Sequence, residues 1–108
     1  MKTVLFVCSQ NRLRSPTAEQ LFADWPGIET ASAGTNNDAE TPLDNELVAW
    51  ADLIFAMERP HRAKLQQKFR KALRGRVICL DIPDDYGFMD DALVRLLKAK
   101  VTPHLPRG

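Results

Sequence analysis

The sequence predicts an α/β domain, a three-layer sandwich with a four-stranded parallel sheet and helices on both faces. Three observations carry that expectation. Short, continuous apolar runs recur along the 108 residues. Segments with helical apolar spacing separate them. The two kinds alternate from one end of the chain to the other. A continuous apolar run suits a strand buried on both faces of a parallel sheet. Strands joined through helices cross over right-handedly, so helices cover both faces.

Thr3 to Val7 is the first apolar run. Pro16 to Trp25 carries Ala18, Leu21, Phe22 and Trp25 at helical spacing, and Pro26-Gly27 stops it. Ile28 to Ala33 reads as a second strand ending at Gly34. Leu43 to Ala51 reads as a short helix and Leu53 to Met57 as a third buried strand. Pro60 to Leu73 is a basic amphipathic helix, Val77 to Leu80 a fourth strand, and Asp90 to Lys100 the last helix with Asp90 as its N-cap. Trp25 and Trp50 are expected in the core, and Cys79 is expected to be buried and inert.

The length fits one domain over residues 1–108, with 101–108 expected to be a flexible tail. A net charge of +1 gives no overall footprint for nucleic acid or an anionic membrane. The basic residues between Arg59 and Arg76 read as a solvated helix face, with His61 near the active edge, a surface histidine by default and a hydrogen-bond partner of the loop after the first apolar run as the alternative. No apolar stretch reaches the roughly 20 residues of a membrane span, and the apolar start at Val4 is too short for a signal peptide. Two cysteines suggest a reducing compartment, hence a cytoplasmic protein. The two histidines and two cysteines match no metal-site spacing, so neither metal nor cofactor is expected.

The chemistry concentrates between Val4 and Glu19. The first strand ends on Cys8, at the carboxyl edge where open α/β sheets bind ligands. The loop Ser9, Gln10, Asn11, Arg12, Leu13 can turn its N–H groups inward as a nest for an anion. Arg14 can hold two oxygens of a tetrahedral oxyanion at once. The next helix is expected to open at Ser15 or Pro16, with serine as cap and its hydroxyl within reach of the thiol. A helix N-terminus and a nearby cation favour a thiolate, the nucleophilic form of cysteine.

The segment resembles the phosphate-binding loop of the low-molecular-weight protein tyrosine phosphatases, V-C-x-G-N-x-C-R-S-P-x-A-E. Val7, Cys8, Asn11, Arg14, Ser15, Pro16, Ala18 and Glu19 stand in register. Gln10 replaces the family's glycine, and Leu13 replaces the second cysteine of many members. The run Ser32-Ala33-Gly34-Thr35 and the run Ala51-Asp52-Leu53-Ile54-Phe55-Ala56-Met57 extend the likeness. The stretch Asn36 to Trp50 is shorter than its family counterpart and lacks a histidine-arginine element.

Attack by a thiolate on phosphorus expels an alkoxide or phenoxide, which needs a proton. Asp81, Asp84, Asp85, Asp90 and Asp91 follow the fourth strand at the same sheet edge as Cys8. Ile82-Pro83-Asp84-Asp85-Tyr86 resembles the family's acid loop, with Asp85 in place of its second proline. The resemblance gives Asp84 the role of acid, and leaves Asp85 and Tyr86 as candidates to line the substrate pocket. It implies a cysteine-dependent phosphomonoester hydrolase, a protein tyrosine phosphatase working through a phosphocysteine. Its expected partners are a phosphorylated protein or small aryl phosphate, with inorganic phosphate, sulfate or vanadate as ligands. Two alternatives stay open: a non-catalytic module binding oxyanions or phosphoproteins, and a thiol-dependent arsenate reductase, for which Cys79 is the one available relay cysteine.

Overall fold

A computed structural model describes residues 1–106. Four parallel strands, β1 (Lys2–Cys8), β2 (Ile28–Gly34), β3 (Leu53–Ala56) and β4 (Arg76–Cys79), form one sheet in the order β2-β1-β3-β4. The helices α1 (Arg14–Phe22), α2 (Asn45–Trp50), α3 (Arg59–Lys68) and α4 (Asp91–Val101) intervene, and a short 3₁₀ turn follows at Thr102–His104. The order of the strands reverses beside β1, so the end of β1 is the topological switch point of the sheet.

The alternation of side chains along β1 divides the core in two. Val4, Phe6 and Cys8 face α1 and α4, packing with Phe22, Leu93, Leu97 and Val101. Leu5 and Val7 face α2 and α3, packing with Val48, Leu65 and Phe69. Strand β3 divides the same way, Phe55 to the first layer and Ile54 to the second. The Phe6 ring stacks on Phe22 at 5.9 Å and on Phe55 at 5.4 Å. Burial of each such ring contributes about 1.5–3 kcal/mol.

Element boundaries differ from the expectation in physically readable ways. Helix α1 begins at Arg14, with Leu13 in the cap position, so Ser15 lies inside the first turn. It ends at Phe22, and the chain turns through Gly27, whose φ of 82° suits glycine. Helix α2 starts later than expected because the Asp44 carboxylate accepts from the Leu47 amide at 2.7 Å. Helix α3 stops at Lys68, because Phe69 leaves helical backbone angles while burying its ring. Asp90 caps α4 through the Ala92 amide, as its position implies.

Several side chains sit elsewhere than expected. His61 is buried rather than at the surface. Cys79 is only half-buried, because β4 is an edge strand, and its thiol lies 3.4 Å from an Asp81 carboxylate oxygen. Trp25 and Trp50 are each partly buried at the margins of the two core layers. The segment expected as a tail packs: Val101 and Leu105 are buried, and the Trp25 indole N–H donates to the Pro106 carbonyl at 2.8 Å. Residues 107 and 108 of that tail lie outside the described residues.

Candidate active site

Cys8 closes β1 and is buried on the α1 side of the sheet. The chain then curls through Asn11, whose φ of 56° is the left-handed turn of the loop. Asparagine tolerates this region better than most residues. The turn falls on Asn11 and not on Gln10, so the missing glycine demands no left-handed glutamine. The Asn11 amide donates to the Cys8 sulfur at 3.3 Å, and the Ser15 hydroxyl oxygen lies 2.9 Å from that sulfur. The Asn11 side-chain amide donates to the same hydroxyl at 2.9 Å, which leaves that hydroxyl's own proton for the Cys8 sulfur or for the Ala33 carbonyl 3.5 Å away. Ser15, expected as a helix cap, is thus free to solvate a thiolate. Pro16 sits in the first helical turn, where its absent N–H costs nothing.

Arg14 is 3% exposed. Its Nη1 donates to Glu58 Oε1 at 2.6 Å and to the Ile82 carbonyl at 2.8 Å. Its Nε lies 3.7 Å from Asp84 Oδ1. Both anchors take Nη1, which leaves Nη2 and the Nε edge to grip two oxygens of an anion. Ile82 is held in turn: its side chain is buried and its amide donates to the Met57 carbonyl at 2.8 Å. The Asp84 loop is therefore tied down two residues before Asp84, upstream of Asp85.

Behind the loop, His61 Nε2 lies 2.8 Å from the Ser9 hydroxyl, and His61 Nδ1 accepts from the Glu58 amide at 3.1 Å. Because Nδ1 is an acceptor, the neutral ring carries its proton on Nε2 and donates it to Ser9. Burial, reinforced by the Arg14 charge, lowers the His61 pKa to about 4. Glu58 and His61 also form a reciprocal capping box at the start of α3. The sequence reading does not single out Glu58; for His61 it keeps a hydrogen bond to the loop as the alternative to a surface position, and that alternative is the one found. The pattern Glu58-x-x-His61 with Pro60 between them, just past β3, was the signal available.

The shortened middle segment braces the loop from the other side. The amides of Thr35, Asn36 and Glu40 donate to the carbonyls of Cys8, Ser9 and Gln10 at 2.9, 3.0 and 3.0 Å. Gly34 allows this close approach: a Cβ there would lie 2.5 Å from the Ser9 carbonyl oxygen.

Cys8, Ser9, Gln10, Arg12, Leu13, Arg14 and Asp84 line a cavity of about 100 Å³. Asn11 and Ser15 stand directly behind it, on the Cys8 sulfur. Asp85 is exposed and Tyr86 packs partly buried against the core layer of Phe6, so neither lines this cavity. Among the described residues no helix is long and apolar enough to cross a membrane.

Residues 3–51 match the family model of the low molecular weight phosphotyrosine protein phosphatases. The fold is shared with solved low-molecular-weight tyrosine phosphatases, and the family match itself covers residues 3–51. Similar solved structures include YwlE arginine phosphatase from Geobacillus stearothermophilus, at 22% identity over 100% of both chains with TM-score 0.74. Wzb from Vibrio vulnificus, in complex with benzylphosphonate, is 26% identical over 95% of this chain and 96% of its own, with TM-score 0.77. A YwlE mutant from Bacillus subtilis is 27% identical over 91% of this chain and 95% of its own, with TM-score 0.70. No curated protein matches the chain by sequence. The low-molecular-weight phosphatase resemblance read from the loop is therefore shown, and the comparisons support a cysteine-based phosphatase.

Proposed function

We propose that this protein hydrolyses phosphomonoesters of phenols, foremost phosphotyrosine in proteins, through a phosphocysteine intermediate. One observation carries the reading: a thiol, an anchored guanidinium and a carboxylate, from Cys8, Arg14 and Asp84, line a single cavity of phosphate size.

Cys8 attacks phosphorus as the thiolate, forming an S–P bond as the P–O bond to the leaving group breaks. The loop amides and Arg14 stabilise the charge on the three equatorial oxygens. Asp84 gives its proton to the departing phenoxide and then, as carboxylate, takes one from water attacking the phosphocysteine. The S–P bond breaks, inorganic phosphate leaves and the thiolate returns. Ser15 and the Asn11 amide stabilise that thiolate at both ends of the cycle.

The structural neighbours include both arginine and tyrosine phosphatases. Arg12 on the cavity wall favours the tyrosine type. Its guanidinium, exposed and 3.7 Å from the Glu40 carboxylate, still adds positive charge at the cavity wall, which disfavours a phosphorylated guanidine more than a neutral phenyl ester. The test is turnover of para-nitrophenyl phosphate and phosphotyrosine against phosphoarginine. Preference for phosphoarginine would overturn the substrate assignment, and vanadate binding without any turnover would favour a non-catalytic module.

A further inference from the structure

The charge of this chain is sorted in space. Eight of its fifteen Lys and Arg, and none of its fourteen Asp and Glu, fall between Arg59 and Arg76. The rest of the molecule carries seven basic against fourteen acidic residues. Of the eight, Arg59 alone has a carboxylate within 4 Å among the described residues, Asp81 at 3.8 Å. A solvated helix face ordinarily mixes signs, with acidic partners three or four residues away. This one has none.

The strip is not remote from the site. His61 on the inner face of α3 touches Ser9 of the phosphate loop. On the adjoining face, Lys64, Gln67 and Lys68 form one wall of an open groove whose other wall is the loop from Thr35 to Asp38. The amides of Thr35 and Asn36 donate to the carbonyls of Cys8 and Ser9, so one wall of the groove is bonded directly to the backbone of the loop that lines the cavity. Asp38 is the acid lining the groove, and it makes no ion pair with either lysine within 4 Å. With a rise of 1.5 Å per residue, Lys64 and Lys68 lie about 5 and 10 Å beyond His61 along α3. An extended peptide advances about 3.3 Å per residue. Residues two to four places from a phosphorylated side chain thus span about 7–13 Å, the same scale as the spacing of these lysines from His61.

We propose that the α3 groove docks an acidic segment of the substrate protein, with Lys64 and Lys68 pairing with carboxylates that flank the phosphorylated residue. The proposal rests on the phosphatase reading and names its substrate class, phosphoproteins with acidic sequence around the phosphotyrosine. The groove supplies specificity and encounter rate more than raw affinity, as rim charges do.

The test compares two phosphotyrosine peptides with glutamate or glutamine at the second to fourth positions on both sides. At low ionic strength the glutamate peptide shows a kcat/KM about fivefold higher, the scale of two exposed ion pairs. At about 0.5 M salt, where the Debye length falls to roughly 4 Å, the ratio approaches one. The double variant Lys64→Glu, Lys68→Glu loses or inverts the preference while its turnover of para-nitrophenyl phosphate stays at the wild-type value. Equal rates on the two peptides at low salt, or a preference unchanged in the double variant, would overturn the proposal. So would stronger binding of a DNA duplex than of the glutamate peptide at the same lysines. Absence of any turnover, even of para-nitrophenyl phosphate, would count against the phosphatase reading instead. The same glutamate-to-glutamine ratio, read then as fluorescence anisotropy of labelled peptides on the unmodified protein, still decides the docking site.

Discussion

His61 holds Ser9. The imidazole sits beneath the phosphate loop with Nε2 at 2.8 Å from the serine hydroxyl, and the Glu58 amide donates to its other nitrogen. Glu58 at the same time binds Arg14 through its carboxylate. One turn at the start of α3 thus positions both the loop and the guanidinium, although neither residue lines the cavity.

Substitution at His61 separates the bond from the bulk. His61→Gln keeps a donor near Ser9, whereas His61→Ala removes it. The expected result is a kcat for para-nitrophenyl phosphate lowered about tenfold or more in the alanine variant and partly restored in the glutamine variant, since small misplacements of a catalytic loop cost up to ~100-fold. Equal loss in both variants would assign His61 to packing alone.

The depressed His61 pKa gives a signed pH dependence. The folded protein takes up this proton near pH 4, whereas the unfolded chain takes it up near 6.5. Protons therefore favour the unfolded state between those values. The stability of the wild type falls, relative to His61→Gln, as pH drops from about 6.5 to 4, by up to roughly 3 kcal/mol. Above about 6.5 the difference is constant. Urea unfolding of both proteins at pH 7, 5 and 4 reads it.

Removing the Glu58 carboxylate frees Arg14 on one side. Glu58→Ala is expected to weaken inhibition by inorganic phosphate about tenfold, because a bidentate grip needs a fixed fork. The rate of Cys8 alkylation by iodoacetamide should stay within about twofold, since Asn11 and Ser15 contact the sulfur and Glu58 does not. A parallel loss of both would contradict separate roles.

At Gly34 the backbone leaves no room. A methyl group would press on the Ser9 carbonyl and on Ala39, each 2.5 Å away, and on the Gln10 backbone at 3.0 Å. Gly34→Ala is expected to cost about 1–3 kcal/mol of stability by overpacking. Turnover should fall further than stability explains at a temperature where the variant is folded, because the displaced atoms belong to the phosphate loop. Urea unfolding and kcat measured together check both.

Much of this was readable in the chain. Val4 to Val7 and Leu53 to Ala56 are apolar without interruption because both faces of their strands are covered, and that pattern carries the parallel sheet. Cys8, Asn11, Arg14 and Ser15 form the loop in sequence order, so local spacing sufficed to find them. Contacts between distant segments were not readable. His61 lies on a segment dense in Lys and Arg, and its burial follows from Leu65 one turn later sharing the inward face. Glu58 meets Arg14 across 44 positions, a pairing that only the sheet order creates. Tyr86 turns toward the core rather than the cavity, and nothing in its neighbours' residue types foretells that direction.

The account rests most directly on Cys8 and Asp84 acting in one cavity. Hydrolysis of para-nitrophenyl phosphate between pH 4.5 and 8, by the wild type, Cys8→Ser and Asp84→Asn, tests it. The account predicts turnover by the wild type, none by Cys8→Ser, and an Asp84→Asn rate at least about 100-fold lower, the scale of a lost general acid. Turnover that survives Cys8→Ser would contradict it.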